Sequence, residues 1–219
     1  MGLERAGMTT VAFCEIEEYP RKVLAKHWPH VPIIEDIRNA CAASFPSDID
    51  VICGGFPCQP FSTAARGKNN AIDMWPEMER VIDGVQPKYV IAENVIERPI
   101  RTAEARMEQA GYGTWVKRIG ADDAGADHQR SRWWLCAYPH QNSELHRALD
   151  AEVEMLPKLC EGIWGAENYS RALRVSDGIP HRLDRVRALG NSILPQIPEI
   201  IGRAIMQTQW NRRQLEIAA

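Results

Sequence analysis

Residues 50–62 read DVICGGFPCQPFS, which places a cysteine between two prolines shortly after a short apolar run. Asp50–Cys53 predicts the end of a buried strand, and the two glycines that follow allow a sharp turn. Pro57 and Pro60 restrict the conformations of the loop after that turn. A structural cysteine is expected inside the strand, as at position 53, so Cys58 in the loop is a candidate for a chemical role.

The composition is that of an ordinary globular protein, with 45% hydrophobic and 25% charged residues among 219. A chain of this length can bury one sizeable core, or one core and a small lobe. The net charge of -3 excludes a polybasic protein. Any contact with nucleic acid therefore requires a local basic surface.

The sequence favours a cytoplasmic protein without a membrane segment. It lacks a basic-then-apolar signal pattern, and no run approaches the roughly 18 apolar residues of a membrane helix. Its six cysteines are widely and irregularly spaced, without a CxxC pair. This spacing indicates reduced thiols and predicts no zinc or other metal site.

The apolar pattern predicts an α/β fold with a doubly wound, mostly parallel sheet, because strands alternate with helix-length segments. The last two strands are expected to form a hairpin at the edge of the sheet. The predicted strands are Thr10–Cys14, Asp50–Cys53, Lys88–Ala92, Thr114–Ile119 and Arg132–Tyr138. The predicted helices are residues 1–6, Tyr19–His27, Asp73–Val85, Thr102–Ala110 and Ile197–Trp210.

Three regions are expected along the chain. Residues 1–139 form the sheet domain, which we expect to be catalytic. Residues 140–180 are polar and irregular, with one weakly helical piece at Glu144–Leu159, and are expected to form a small lobe. Residues 181–219 return to the first domain and include a regular segment at Arg182–Leu189.

Reactive groups in an open parallel sheet collect beyond the carboxyl ends of its strands. Cys58 follows the second predicted strand, Glu93 ends the third and Glu15 follows the first. Arg130 and Arg132 stand where the fifth strand begins. Each has an ordinary alternative as a packed thiol, a helix cap or a stacked arginine. Their occurrence together, in this order, favours a functional site.

Four motifs together resemble those of the C5-cytosine-specific DNA methyltransferases. They are GGFPCQPFS (54–62), ENV (93–95), HQRSR (128–132) and RALGNSILPQ (187–196). The resemblance extends from Met1 to about Met206 and is weakest between 140 and 170. Residues 174–191 are similar to the recognition segment of compact phage-type and prophage-type members. The family has the Rossmann-like fold of S-adenosylmethionine-dependent methyltransferases.

The resemblance implies a catalytic mechanism. The thiolate of Cys58 adds to carbon 6 of cytosine, and carbon 5 then attacks the methyl group of S-adenosylmethionine. Glu93 hydrogen-bonds or protonates ring nitrogen 3, a task that suits a buried acid. Arg132 holds the base and the nucleophile loop, with Arg130 beside it. His128 stands where the family usually has glutamine. The base must leave the duplex to reach this site.

The resemblance also implies which residues bind the cofactor and the DNA. Glu15 would bind the ribose hydroxyls, Ile16 would pack on the adenine, and a helix cap is the alternative role for Asn191. The full set of cofactor residues is Glu15, Ile16, Asp36, Ile37, Pro57 and Asn191. The DNA-contacting residues are Gln59, Ser62, Arg174, Arg182 and Arg185.

One motif of the family is not found. Its first strand and the Phe-x-Gly-x-Gly-Gly turn would stand immediately before Met1, and their loss removes the central strand of the sheet. A start codon assigned too late and a real truncation are the two explanations, of which we favour the first.

The leading hypothesis is a DNA (cytosine-5-)-methyltransferase that acts on double-stranded DNA as a monomer, with a cognate restriction endonuclease as a candidate partner. A catalytically defective or partner-dependent relative that binds DNA is the second hypothesis. A tRNA cytosine-5 methyltransferase ranks lower. A cysteine protease is disfavoured because its sequence contexts do not resemble FPCQPFS.

Overall fold

The computed structural model describes residues 1–57, 73–125, 130–140, 142–159 and 192–218. The strands in these ranges are β1 (Phe13–Cys14), β2 (Ile33–Ile34), β3 (Val51–Gly55), β4 (Tyr89–Asn94), β5 (Tyr112–Ile119) and β6 (Arg132–Pro139). The α-helices are α1 (Gly2–Arg5), α2 (Glu18–His27), α3 (Trp75–Val85), α4 (Glu97–Gln109), α5 (Ser143–Leu159) and α6 (Gln196–Ala218). The predicted regular segment at Arg182–Leu189 lies outside the described residues.

The described strands form two sheets. β1 pairs with β2 in parallel, and a four-stranded sheet has the order β3-β4-β6-β5. β3 is parallel to β4, whereas β6 runs antiparallel to both β4 and β5. β3, β4 and β5 therefore point in one direction, which confirms the mainly parallel α/β fold. The predicted hairpin is the β5–β6 pair at one edge. Among the described strands, β1, β2, β3 and β5 each pair on one side only and are edge strands.

The central strands β4 and β6 of the four-stranded sheet are covered on both faces. Alternate residues of a strand point to opposite faces, so a strand covered on both sides is apolar throughout. On one face, Ile91 and Trp134 pack with the buried residues of α5 and α6. On the other, Val90 and Leu135 pack with those of α3 and α4. The core is thus two apolar layers separated by the sheet.

Several elements differ from the predicted pattern, α4 and β1 among them. α4 begins at Glu97 rather than Thr102, because Pro99 lies in the first turn, where a missing N–H breaks no helical hydrogen bond. β1 is limited to Phe13–Cys14, where it pairs with β2, whereas the prediction began at Thr10.

The helical piece predicted at Glu144–Leu159 is confirmed, over residues 143–159. These residues form the regular helix α5, whose Leu145, Leu149 and Leu156 are at most 1% exposed. The three leucines belong to the same core cluster as the apolar residues of α6. Residues 143–159 therefore pack with the sheet domain.

Within the described residues, no helix combines the length and the apolar character required to cross a bilayer.

α1 packs closely against α6 through small residues. A Cβ atom added at Gly202 of α6 would lie 2.7 Å from the Cβ of Ala6 and 3.2 Å from the Cδ2 of Leu3. A Cβ atom at Gly2 would in turn meet the carbonyl oxygen of Pro195. The two helices can approach this closely only where one of them has no side chain.

We predict that Gly202→Ala lowers the free energy of unfolding by about 1 kcal/mol or more, since the added methyl group overpacks the α1–α6 contact. The control is Gly84→Ala in α3, where the new Cβ would make an ordinary 3.4 Å contact with Ala42. That change should stabilise the protein by up to about 1 kcal/mol, as alanine favours helix. Urea denaturation measures both variants. Equal stabilisation by the two changes would contradict the close packing.

Candidate active site

Glu93 lies at the carboxyl end of β4, between the edge strand β3 and the antiparallel strand β6. Its register partners are Gly55 on β3 and Trp134 on β6. The Nε atom of Arg132 lies 2.9 Å from the Oε1 atom of Glu93, and the two side chains are only 15% and 13% exposed. β6 begins where β4 ends, because the strands are antiparallel, and this brings Arg132 to the acid.

The surroundings of Glu93 favour its protonated form. Burial raises the pKa of the Glu93 carboxyl above its ordinary value, and the positive charges of Arg132 and Arg130 oppose this effect without cancelling it. The Oε1 atom is shielded from solvent. Arg132 Nε is its near neighbour, and this contact with Arg132 opposes the rise in the pKa of Glu93.

Arg130 connects this site to the segment that precedes α6. Its guanidinium group donates a hydrogen bond to the carbonyl oxygen of Ser192, at 2.5 Å. Burial and the charge of Arg132 lower the pKa of Arg130, while Glu93 raises it. The structure thus brings together Glu93, Arg130 and Arg132, the three described members of the predicted catalytic set.

Asn94, the residue after Glu93, joins the segment after β3 to the end of β4. Its buried Nδ2 atom donates to the carbonyl oxygen of Phe56 at 2.9 Å, and its Oδ1 atom accepts from the backbone N–H of Ile96. The rings of Phe56 and Trp75 lie 5.1 Å apart. The backbone N–H of Met74 is 3.5 Å from the carbonyl oxygen of Pro57.

These contacts bring the two chain segments that flank residues 58–72 together at the end of β4. Asn94 belongs to the ENV motif, but no role was predicted for it. A polar residue at the end of an otherwise apolar strand could have indicated this structural role, because buried amide groups are usually hydrogen-bonded.

The predicted cofactor residues of the first sheet lie at the carboxyl ends of β1 and β2. Glu15 accepts a hydrogen bond from the backbone N–H of Glu17, next to the start of α2. Asp36 accepts from the backbone N–H of Arg38 and forms an ion pair with its guanidinium group, which lowers the pKa of Asp36. Partial burial raises the pKa of the Cys14 thiol, and the carboxylates of Asp36 and Glu15 raise it further, so both acids lie near this thiol.

The apolar members of the predicted cofactor set also fall in described residues. Ile16 is 61% exposed beside Glu15. The side chain of Ile37 packs partly against the core, and its carbonyl oxygen accepts from Arg80. Pro57 is exposed at the end of the segment after β3. In the part of the chain that the structure describes, no hydrogen bond or ion pair joins Glu15 or Asp36 to Glu93.

Seven predicted site residues lie outside the described residues: Cys58, Gln59, Ser62, Arg174, Arg182, Arg185 and Asn191. A surface depression of about 780 Å³ lies elsewhere, beside Tyr112, Tyr138 and His146. Tyr138 is near the carboxyl end of β6, which is the opposite end of the sheet from Glu93. The depression is therefore separate from the candidate site.

Two curated relatives illustrate the sequence similarity. The type II methyltransferase M.NgoMIV of Neisseria gonorrhoeae is 34% identical over 191 residues, which cover 77% of this chain and 60% of that protein. The type II methyltransferase M.CviJI of Paramecium bursaria Chlorella virus IL3A is 30% identical over 136 residues, covering 59% of this chain and 37% of the relative. The chain thus spans from about a third to three fifths of the length of these relatives.

Solved structures share the fold. A DNA modification methyltransferase encoded within an E. coli prophage superposes with a TM-score of 0.51 at 25% identity, over 63% of this chain and 42% of that one. A mutant of Spodoptera frugiperda DNMT2 gives a TM-score of 0.52 at 16% identity, over 65% of this chain and 48% of that one. This second likeness concerns the fold alone.

The family model described as C-5 cytosine-specific DNA methylase matches residues 1–171, more than three quarters of the chain. This match agrees with the methyltransferase fold and with the sequence similarity to type II methyltransferases. The chain therefore belongs to the C-5 cytosine-specific DNA methylase family.

Proposed function

We propose that the protein transfers a methyl group from S-adenosylmethionine to carbon 5 of cytosine in double-stranded DNA, with Cys58 as the covalent nucleophile. The observation that supports this most is the state of Glu93. Its carboxyl group is largely buried, has a raised pKa and lies beside the guanidinium group of Arg132. Such a group can give a proton to a flipped base.

The chemistry requires this acid because cytosine is a poor nucleophile at carbon 5. The sulfur of Cys58 forms a bond to carbon 6 while Glu93 gives its proton to ring nitrogen 3, and carbon 5 gains electron density. S-adenosylmethionine supplies the methyl group when it is bound. Loss of the proton on carbon 5 to a base, departure of the sulfur and return of the nitrogen 3 proton to Glu93 then restore the aromatic ring and the enzyme.

The two arginines have different tasks in this mechanism. Arg132 holds the Glu93 carboxyl group in place through the 2.9 Å ion pair. Arg130 fixes the segment before α6 through its bond to Ser192. Their combined positive charge would favour the thiolate form of a cysteine that approaches Glu93.

The cofactor assignment is a proposal that the first sheet supports. Acids at the ends of parallel strands suit the ribose hydroxyls of a nucleoside, and an exposed isoleucine suits the face of its base. Glu15, Asp36 and Ile16 supply these groups, so they fit the adenosine part of S-adenosylmethionine. Ile37, Pro57 and Asn191 stay predicted cofactor contacts.

The DNA contacts and the biological setting also stay proposals. Gln59, Ser62, Arg174, Arg182 and Arg185 are the predicted DNA contacts, and residues 140–180 are the predicted recognition region. A monomeric state, a cytoplasmic location and a cognate restriction endonuclease belong to the same proposal.

A second candidate function is DNA binding without methyl transfer. The division of the strands into two sheets favours it, since β1 and β3 each pair on one side only among the described strands. An unpaired strand edge holds free backbone donors and acceptors. If the cofactor site includes residues of both sheets, cofactor binding requires that the two sheets be held together, whereas DNA binding does not.

We predict that a DNA duplex containing 5-fluorocytosine forms a covalent adduct with the protein in the presence of S-adenosylmethionine. Fluorine cannot leave carbon 5 as a cation, so the enzyme stays attached after methyl transfer. Denaturing electrophoresis detects the adduct. Cys58→Ser should abolish it, whereas Cys53→Ser, in β3, should retain it. Equal adduct formation by Cys58→Ser would exclude this nucleophile, and no adduct with any form would favour binding without transfer.

We predict that Glu93→Gln lowers the rate of methyl transfer by roughly 10²–10⁴-fold, the usual contribution of a general acid. The protonated form of Glu93 is the active one and its pKa is raised. The rate should therefore fall as the pH rises through that pKa, and this alkaline limb should be absent in Glu93→Gln. Single-turnover rates measured across pH test this. Glu97→Gln, at an exposed carboxyl of α4, is the control; an unchanged pH profile in Glu93→Gln would contradict the role.

We predict that Asn94→Asp destabilises the protein by about 1–3 kcal/mol, because the change replaces the donor to the Phe56 carbonyl with an acceptor. Adduct formation should slow as well, since the segment that leads to Cys58 loses its contact with the end of β4. Thermal unfolding and the adduct assay measure the two effects. The matched change at an exposed position, Asn39→Asp, should alter neither; similar results for both variants would remove the role of Asn94.

A further inference from the structure

Gly55, the last residue of β3, lies directly beside the Glu93 carboxyl group. The two residues are register partners in the parallel β3–β4 pair. A Cβ atom added at Gly55 would lie only 2.8 Å from the Oε2 atom of Glu93, closer than real Cβ atoms approach other atoms. The Oε1 atom, on the other side, is in contact with Arg132. The carboxyl group therefore occupies the space that a side chain at position 55 would fill.

The backbone does not require glycine at this position. The glycines with a left-handed φ in the described residues are Gly7, Gly111 and Gly125, so Gly55 has a conformation that alanine can adopt. Gly54, the preceding residue, lacks the steric constraint that the Glu93 carboxyl group imposes on Gly55. A Cβ atom at Gly54 would make ordinary 3.6 Å contacts with the side chain of Met78.

We propose that Gly55 is a positioning residue for Glu93, whose missing side chain leaves the carboxyl group room to lie against Arg132 with Oε2 facing β3. This inference rests on the proposed function for the statement that Glu93 gives its proton to cytosine. The spatial relation itself depends only on β3, β4 and β6. Alanine at position 55 would force the carboxyl group away from its place and loosen the contact with Arg132.

The groups that face Glu93 determine how its pKa should change when alanine replaces Gly55. Arg132 and Arg130 face it from the β6 side and lower its pKa. On β3, the thiol of Cys53 lies two residues from Gly55 on the same face. The methyl group of Gly55→Ala would weaken the contact with Arg132 and exclude water from Oε2. Both effects disfavour the charged form, so the pKa of Glu93 should rise.

The first test is a double-mutant cycle measured by thermal unfolding. Gly55→Ala should lower Tm in the protein that retains Glu93. In the Glu93→Ala background the same change should raise Tm, as Gly54→Ala does in either background, because alanine is better than glycine within a strand. Glu93→Asp is a second background, whose shorter side chain should also remove the penalty. An equal effect of Gly55→Ala on Tm in all backgrounds would overturn the proposal.

The second test follows the carboxyl carbon of Glu93 by NMR in protein labelled with ¹³C-glutamate. The signal is assigned by its loss in Glu93→Gln. Gly55→Ala should raise the titration midpoint by about half a pH unit or more, and Gly54→Ala should leave it unchanged. A midpoint in Gly55→Ala that is unchanged or lowered would contradict the positioning role.

Neither test requires DNA, cofactor or methyl transfer, so the positioning of Glu93 and the proposed function can fail separately. Loss of 5-fluorocytosine adduct in the unmodified protein, with the expected Tm and titration results, would remove the function and leave the positioning intact. Where the adduct forms, Gly55→Ala should slow it at least tenfold and Gly54→Ala should not; equal rates would show that the position of Glu93 does not limit the reaction.

Discussion

The burial of one carboxyl group, that of Glu93, is the constraint on which the candidate site depends. Removing an ionised carboxylate from water costs several kcal/mol, and a nearby guanidinium group recovers only part of that cost. The ion pair with Arg132 is this partial compensation, and the raised pKa of Glu93 reflects the part that is not recovered. A carboxyl group balanced in this way holds its proton to a higher pH than an exposed glutamate does, and can release it to a base that enters the site.

The topology of the sheet creates this balance. β6 runs antiparallel between β4 and β5, so its first residues lie beside the last residues of β4. A parallel strand in the same place would have put Arg132 at the opposite end of the sheet. The alternation along β4 then separates two tasks, because Glu93 shares a face with Ile91 while Asn94 points to the face of Phe56 and Trp75. Glu93 is the proposed proton donor, and Asn94 joins the segment after β3 to the end of β4.

Much of this arrangement could be predicted from sequence, because strand ends and motif order are local signals. The strands that end at Glu93 and begin near Arg130 were identified from short apolar runs, and the geometry brings these residues together. The helix α5 was underestimated, although Leu145, Leu149 and Leu156 have helical spacing, because the polar residues between them dominate the local composition. The fit of Gly55 against Glu93 could not be predicted, since it depends on the register between two strands separated by more than 30 residues.

The central claim is that Glu93 gives its proton to ring nitrogen 3 of a cytosine bound through Cys58. A crystal structure of the covalent adduct with 5-fluorocytosine DNA tests it most directly. The account predicts a Glu93 carboxyl oxygen within about 2.6–3.2 Å of ring nitrogen 3, with Arg132 still beside the acid and carbon 6 bonded to Cys58. A structure in which nitrogen 3 faces another group, or in which the base is bonded to a different residue, would contradict it.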